Sequence, residues 1–356
     1  MGKNIVLFIM VIGIWAIFYQ LGRSSVPIRS ADTRTISCPS TPEVQPIKTK
    51  ANIVTQAAAK KSQPQLQKNI EFAYVLNANS VTISQCPIDS NTGLIEDCAS
   101  TGKGFNAPNR IILNKARTLA YVANKGSSTI SLCKINPVNG DFENCKATGD
   151  GFTIPASIII EEQRNAAYIA NQSDSSISKC RYNMVNGTLS ACYKFSIAGL
   201  LVPTAFAANI NHNFLYISSA ANDSVYVCHI GGRNSGLSNC HSTGYGFDAP
   251  QAISLDKNSI HAYVTNNGSH MISLCDVNNN NGELSNCILT GSGFNGLTDF
   301  DFNSEGTAAY ITNASVLSVC KINQMSGELY DCKNAGGRFN TPAGITLYKV
   351  NRSITD

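Results

Sequence analysis

Thr129-Ile-Ser-Leu-Cys133-Lys-Ile-Asn-Pro-Val-Asn-Gly-Asp-Phe-Glu-Asn-Cys145-Lys-Ala-Thr-Gly-Asp-Gly-Phe152 reads as an alternating strand, an Asn/Pro/Gly loop, a second strand and a glycine turn. Ala120-Tyr-Val-Ala-Asn124 precedes it as another strand, and Pro155-Ala-Ser-Ile-Ile-Ile160 follows as a fourth. The motif recurs about every 47 residues, each time with two cysteines twelve positions apart. The pairs are Cys86/Cys98, Cys133/Cys145, Cys180/Cys192, Cys228/Cys240, Cys275/Cys287 and Cys320/Cys332. Four short strands per copy at that period describe a propeller blade, and six copies predict an all-β, six-bladed β-propeller.

Equivalent strand openings stand at Phe72-Ala-Tyr-Val75, Ala120-Tyr-Val122, Ala167-Tyr-Ile169, Leu215-Tyr-Ile217, Ala262-Tyr-Val264 and Ala309-Tyr-Ile311. A Thr-Gly-x-Gly-Phe turn occupies 101–105, 148–152, 243–247 and 290–294. It drifts to Gly336-Gly-Arg-Phe339 in the last copy and is lost at Ile197-Ala-Gly-Leu-Leu201, so that corner is expected to differ. The first copy starts in mid-blade at Phe72, while Pro342-Ala-Gly-Ile-Thr-Leu347 repeats the inner strand of the others. The C-terminal strand is therefore expected to complete the first blade, leaving no free edge.

The chain has 13 cysteines, no Cys-x-x-Cys and five histidines without a common phase, which argues against zinc. One disulfide per blade is expected, joining opposed residues of each outer hairpin. A constant register through Cys133 and Cys145 would also set Ile135 opposite Glu143. By the loop-entropy argument each such ring contributes about 3 kcal/mol.

Residues 1–70 carry nine Lys/Arg against two acids, leaving the rest of a chain of net charge +4 mildly acidic. No basic face for nucleic acid is evident. Ile5 to Leu21 is apolar apart from Gln20, and Tyr19-Gln-Leu-Gly-Arg23 is a poor cleavage site. The segment 1–21 is read as a signal-anchor, or alternatively a cleaved signal peptide. Arg23, Arg29 and Arg34 after the span oppose an exported body by charge bias, whereas the paired cysteines favour it. Residues 22–70 read as a flexible basic spacer reaching about 38 Å, with Cys38 either pairing between copies or remaining a free thiol. Residues 71–350 form the propeller. It is expected in the periplasm or cell exterior, membrane-anchored, or secreted if the leading segment is cleaved.

The glycine turns lead into strands rather than helices, so they are not phosphate loops. Asp89-Ser-Asn-Thr-Gly93 and Asp276-Val-Asn-Asn-Asn-Asn-Gly282 lack the spacing of a calcium loop and read as hairpin loops. Asn77, Asn124, Asn171, Asn266 and Asn313 are expected to cap the turn that follows each strand, a ring of amides at one mouth being the alternative. Ligands of a propeller usually meet the central channel, which nominates Asn109, Arg110, Thr204, Gln251, Thr298 and Asp299 as contacts at its mouth. Asp299 and Asp301 are the acids available there, both from one blade; neither a metal site nor a catalytic triad can be composed, and no cofactor is expected. Asn171, Asn186, Asn222, Asn267, Asn313 and Asn351 begin N-x-S/T triplets.

Tyr263-Val-Thr-Asn266 and Tyr310-Ile-Thr-Asn313 resemble the signature of YVTN-type, lactonase-like bacterial β-propellers, a resemblance extending over residues 72–348. It implies the propeller fold and admits sugar-lactone hydrolysis, although the cysteine staples and the count of six copies depart from seven-bladed lactonases. On these grounds the chain reads as a non-enzymatic binding scaffold. It would hold a protein or glycan of the envelope or exterior and contact the membrane through its N-terminal segment. The alternative is a lactonase-like hydrolase with its site around Asp299, Asn109 and Gln251.

Overall fold

The structure, a computed structural model, describes residues 70–231 and 236–350. The expected signal-anchor, the spacer up to residue 69 and Cys38 lie outside the described residues, as does Asn351, whereas Ile70 belongs to the first strand. Among the described residues no helix is long and apolar enough to cross a membrane. Six four-stranded antiparallel sheets form a six-bladed propeller. Blade 2 is representative: strands Pro108–Leu113, Leu119–Asn124, Thr129–Ile135 and Phe142–Thr148 run from the channel outward. The inner strands of successive blades touch one another around a closed ring. Blade 1 closes as the sequence predicts, with Pro342–Val350 pairing antiparallel to Ile70–Asn77.

All six expected disulfides are present, joining Cys86 to Cys98, Cys133 to Cys145, Cys180 to Cys192, Cys228 to Cys240, Cys275 to Cys287 and Cys320 to Cys332. Their Cα–Cα separations are 4.0–4.2 Å. Their place in the ladder corrects the expectation of simple opposition. In blades 2 to 6 the register shifts at the cysteine pair itself. Cys145, Cys192, Cys240, Cys287 and Cys332 therefore each share a bulge with the residue before them, two residues facing one. Cys98 departs further, because it precedes the short strand Ala99–Thr101 instead of lying on it. The first cysteine of every pair is buried, whereas Cys98 is exposed and the other five second cysteines are half-buried.

The shift has a physical cause. In blade 2, Ile130 to Leu132 oppose Thr148 to Lys146, but Lys134 faces Glu143 and Ile135 faces Phe142. Asn144, with φ 52°, forms the bulge beside Cys145 and moves the strand by one residue. The same left-handed residue recurs at Ala191, Asn239, Asn286 and Asp331. The shift brings Phe142 into the core and leaves Glu143 in solvent, so burial of the phenyl ring explains the departure.

The asparagines reach across the following turn, as Asn266 Nδ2 does to the Met271 carbonyl at 3.2 Å, but they also make longer-range bonds that the sequence did not suggest. The Asn124 carboxamide oxygen accepts the amide of Asn106, eighteen residues earlier, while its Nδ2 donates to Ser131 at 2.9 Å. Asn77, Asn171, Asn266 and Asn313 make the same bridge to Ser84, Ser178, Ser273 and Ser318. Each side chain ties the segment entering the inner strand to the third strand of its own blade. All five are buried, which removes the reading as a ring of exposed amides and leaves Asn171 and Asn313 inaccessible as glycan acceptors. In blade 4, where the turn motif is lost, Ser219 substitutes for the asparagine and Leu200 for the buried phenylalanine.

Two further repeated side chains join neighbouring blades. Thr101, Thr148, Thr243 and Thr290 accept, each through Oγ1, an amide of the next blade's outer strand at 2.7 Å. Tyr74, Tyr121, Tyr263 and Tyr310 reach across the seam to donate to Gly140, Gly187, Gly327 and Gly93 carbonyls at 2.6–2.8 Å. Gly140 has φ +79°, and a Cβ there would stand 2.7 Å from the Tyr74 hydroxyl, so the loop residue must be glycine. The equivalent Tyr216 is buried with its hydroxyl unpartnered.

Removing the Tyr121 hydroxyl (Tyr121→Phe) is expected to cost about 1–2 kcal/mol in denaturant unfolding, because the Gly187 carbonyl loses its donor. Tyr216→Phe is expected to be neutral or stabilising. Equal losses in the two variants would show that the seam bond contributes nothing. Alkylation of the unreduced protein is expected to label one cysteine per chain, since the six disulfides account for twelve of the 13.

Candidate functional site

A cavity of about 390 Å³ lies at the centre of the ring, between Arg110 and Lys115 of blade 2, Phe206 of blade 4 and Asp299 and Asp301 of blade 6. Arg110 and Asp299 meet there in a buried ion pair that spans blade 1. Gly344 allows that reach: a Cβ on it would lie 2.7 Å from the Asn109 carbonyl, so only glycine lets the closing strand lie this near blade 2. Asp299 also accepts the amides of Ile345 and Phe300 at 2.9 Å. Asp301 accepts the Leu347 amide at 2.9 Å, the Thr346 hydroxyl at 3.0 Å and its neighbour Phe302 at 2.8 Å. The two acids thus hold the closing strand against blade 6. Arg117 adds a bond to the Leu347 carbonyl at 3.1 Å.

Burial pushes the Asp299 carboxyl up to about 6, against the opposing pull of Arg110 and of the two amides. Burial also raises Asp301. Asp299 is therefore ionised at neutral pH while remaining easily protonated. On Oδ2 the Ile345 amide takes one of two acceptor positions. Lys115 and Arg117, exposed where the inner strand of blade 2 ends, add positive charge at the cavity's open side.

Of the six nominated residues, the cavity brings together Arg110 and Asp299. Asn109 donates instead to the Ala156 carbonyl at 2.8 Å, Thr204 to that of Pro250 and Thr298 to that of Pro342, each at 2.8 Å. These three tie the inner strands of adjacent blades, and Gln251 bonds to the Ala249 carbonyl. They sit where inner strands begin, whereas the cavity extends towards where they end. Lys115, Arg117 and Thr346 escaped the sequence reading because they follow or lie deep in the inner strands rather than opening them. His212 escaped it too. Its Nδ1 lies 3.1 Å from both oxygens of Glu161, a wholly buried carboxylate. That contact makes the imidazole more basic than usual. Among the described residues no three His, Cys, Asp or Glu side chains converge as a metal-binding group.

The family model for the seven-bladed lactonase β-propeller matches residues 155–292, which are blades 3 to 5 of the six. The chain is thus similar to lactonase-like propellers, as its Tyr-Val-Thr-Asn motif implied. No curated protein matches it. Among solved structures, a candidate 6-phosphogluconolactonase from Bacteroides fragilis is 13% identical, with TM-score 0.59 over 80% of this chain and 100% of that one. The periplasmic gluconolactonase PpgL of Pseudomonas aeruginosa is 12% identical, with TM-score 0.59 over 79% and 99%. A chain of a nidogen/laminin complex is 13% identical, again with TM-score 0.59, over 78% and 98%. At these identities the likeness establishes the fold alone. The family match does discriminate, and it overturns the expectation of a non-enzymatic binding scaffold. The sequence reading also missed the cavity's composition: Asp299 and Asp301 converge there with Arg110, Lys115 and Arg117 of blade 2. With six disulfides, the propeller is an extracytoplasmic protein.

Removing Arg110 alone (Arg110→Met) is expected to destabilise the fold by about 3–5 kcal/mol, because it leaves Asp299 buried and unpaired. The folded pKa of Asp299 already lies above its unfolded value, so its contribution to stability is full at low pH and declines as pH rises through about 6. Without Arg110 the carboxyl rises further, so the variant's deficit is expected to shrink from pH 8 to pH 5. Unfolding measured at both values checks the sign, and a deficit independent of pH would remove Asp299 from the account.

Proposed function

We propose that this chain is an extracytoplasmic, lactonase-like hydrolase that opens a cyclic ester in the central cavity. The observation that carries the reading is the Arg110–Asp299 pair in that cavity, together with the lactonase family match across three blades. Lactone opening needs a base to take a proton from water and positive charge where the carbonyl oxygen gains negative charge. Asp299, with a pKa near 6, is matched to the first task at neutral pH: it takes the proton as the water oxygen bonds the carbonyl carbon and returns it to the ring oxygen as the acyl C–O bond breaks. Arg110 is placed for the second. Lys115 and Arg117 then hold the hydroxy-acid carboxylate as it forms. The finer placement on a membrane follows from residues 1–21 acting as an uncleaved anchor and 22–70 as a tether.

Acid release from glucono-δ-lactone and alkyl γ-lactones, followed by pH-stat on the oxidised propeller, tests the reading. Turnover is expected with an acid limb near pH 6, and Asp299→Asn is expected to lower kcat at least 100-fold with all six disulfides retained. Lys115→Ala, on an exposed side chain, is expected to raise KM more than it lowers kcat. Absence of acid release from every lactone by well-folded protein would defeat the proposal. Fractionation of cells tests the anchor separately, the expected result being propeller in the membrane pellet that is released by cleavage within 22–70.

A further inference from the structure

The charged cavity has a neighbour beyond blade 2. A second space of about 560 Å³ adjoins it, formed by blades 2, 3 and 4, and the two share Ile112, Leu113, Asn114, Lys115 and Phe206 as walls. Their chemistry differs. On the blade 6 side the shared walls face Asp299, Asp301 and Arg110; on the blade 3 side they face Ile158, Ile159, Ile160 and Met184, with Glu162, Gln163 and His212 also on that side. The apolar annex is built by the fold rather than left over from packing. Tyr121 of blade 2 bonds the Gly187 carbonyl and so draws the hairpin loop of blade 3 across the seam, and Met184 rides on that loop. The loops of blades 1, 2 and 5 carry Ser90, Pro137 and Asn279 at the same position, so a flexible thioether faces a cavity here by placement in one blade.

We infer that the substrate is an amphiphilic lactone, whose ring and ester occupy the charged cavity while an aliphatic or aryl arm lies in the annex against Ile158, Ile160, Met184 and Phe206. A compact polyhydroxylated sugar lactone would fill the charged part and leave the apolar walls in water. Adjacency of the two spaces across five shared residues is what assigns the annex to the arm of the same molecule rather than to a separate ligand. The inference rests on the hydrolytic reading above, and it adds the substrate class.

The test is a series of γ-lactones bearing straight alkyl chains of increasing length, with glucono-δ-lactone as the polar reference. For the oxidised protein, kcat/KM is expected to rise about three- to fourfold per methylene over the first few carbons and then level off. Met184→Glu, on a half-exposed loop side chain, is expected to flatten that rise. Met325→Glu, on the equivalent loop of blade 6 and away from the annex, is expected to preserve both turnover and the rise. Turnover that is flat with chain length, or that favours the sugar lactone, would overturn the inference and leave the hydrolase standing. A rise that survives Met184→Glu would overturn the assignment of the arm to the annex. No turnover of any lactone would end both readings.

Discussion

Antiparallel pairing of Ile70–Asn77 with Pro342–Val350 is the contact on which the whole ring depends. Five blades are continuous in sequence, and each forms from strands close along the chain. The first is assembled from residues more than 260 positions apart, so its entropy of closure cannot be recovered locally. That loss is met at several places together: the strand pairing, the Asp299 and Asp301 bonds to Ile345 and Leu347, and the Thr298 bond to Pro342. The disulfides cannot serve here. Each lies within a single blade and stabilises an outer hairpin that would otherwise fray, but none crosses a seam.

Placing the candidate site at this seam has a physical consequence. Asp299 and Asp301 are drawn into the interior because amides of the closing strand need acceptors, and burial then raises both carboxyl groups. The desolvation that makes them costly to ionise is the same effect that makes a carboxylate basic enough to act near neutrality. Arg110 prevents the cost from becoming prohibitive. Structural closure and the proposed base chemistry thus draw on one arrangement.

The architecture was legible because its signals are periodic. Cysteines twelve apart, tyrosines in every copy and a stray inner strand at the C-terminus each point to six closed blades. What periodicity could not convey was parity within the outer hairpin: a single left-handed residue at Asn144 turns Phe142 inward, and nothing in the residue type at 144 demanded that conformation. The spacing of the cysteines gave their partners, but not that the second of each pair sits at a bulge or, for Cys98, ahead of its strand. The asparagines were seen as a set with only their turn partners, because their amide donors stand eighteen residues upstream or, for Asn77, on the closing segment at Asn340. Arg110 and Asp299 were found by their place in the inner strands, but not their pairing, which depends on a glycine in a third blade. His212 and Glu161 belong to different blades and the pair is not repeated, blade 2 carrying Arg117 and Asn114 at these positions, so the repeat did not reveal it.

Six blades, where the matched family has seven, also shape the channel. A smaller ring brings inner strands nearer across the axis, and here an arginine of blade 2 passes the glycine of blade 1 to reach an acid of blade 6. Polar side chains where the inner strands begin are satisfied within the ring: Asn109, Thr204 and Thr298 bond to carbonyls of the next inner strand. Space remains at the opposite end, where strands diverge past Lys115 and Phe206 and the annex opens between blades 2 and 4. The usable space thus runs from the centre of the ring towards the flank of blade 3. The walls available to a ligand are then set as much by blade count as by the residues of any one blade.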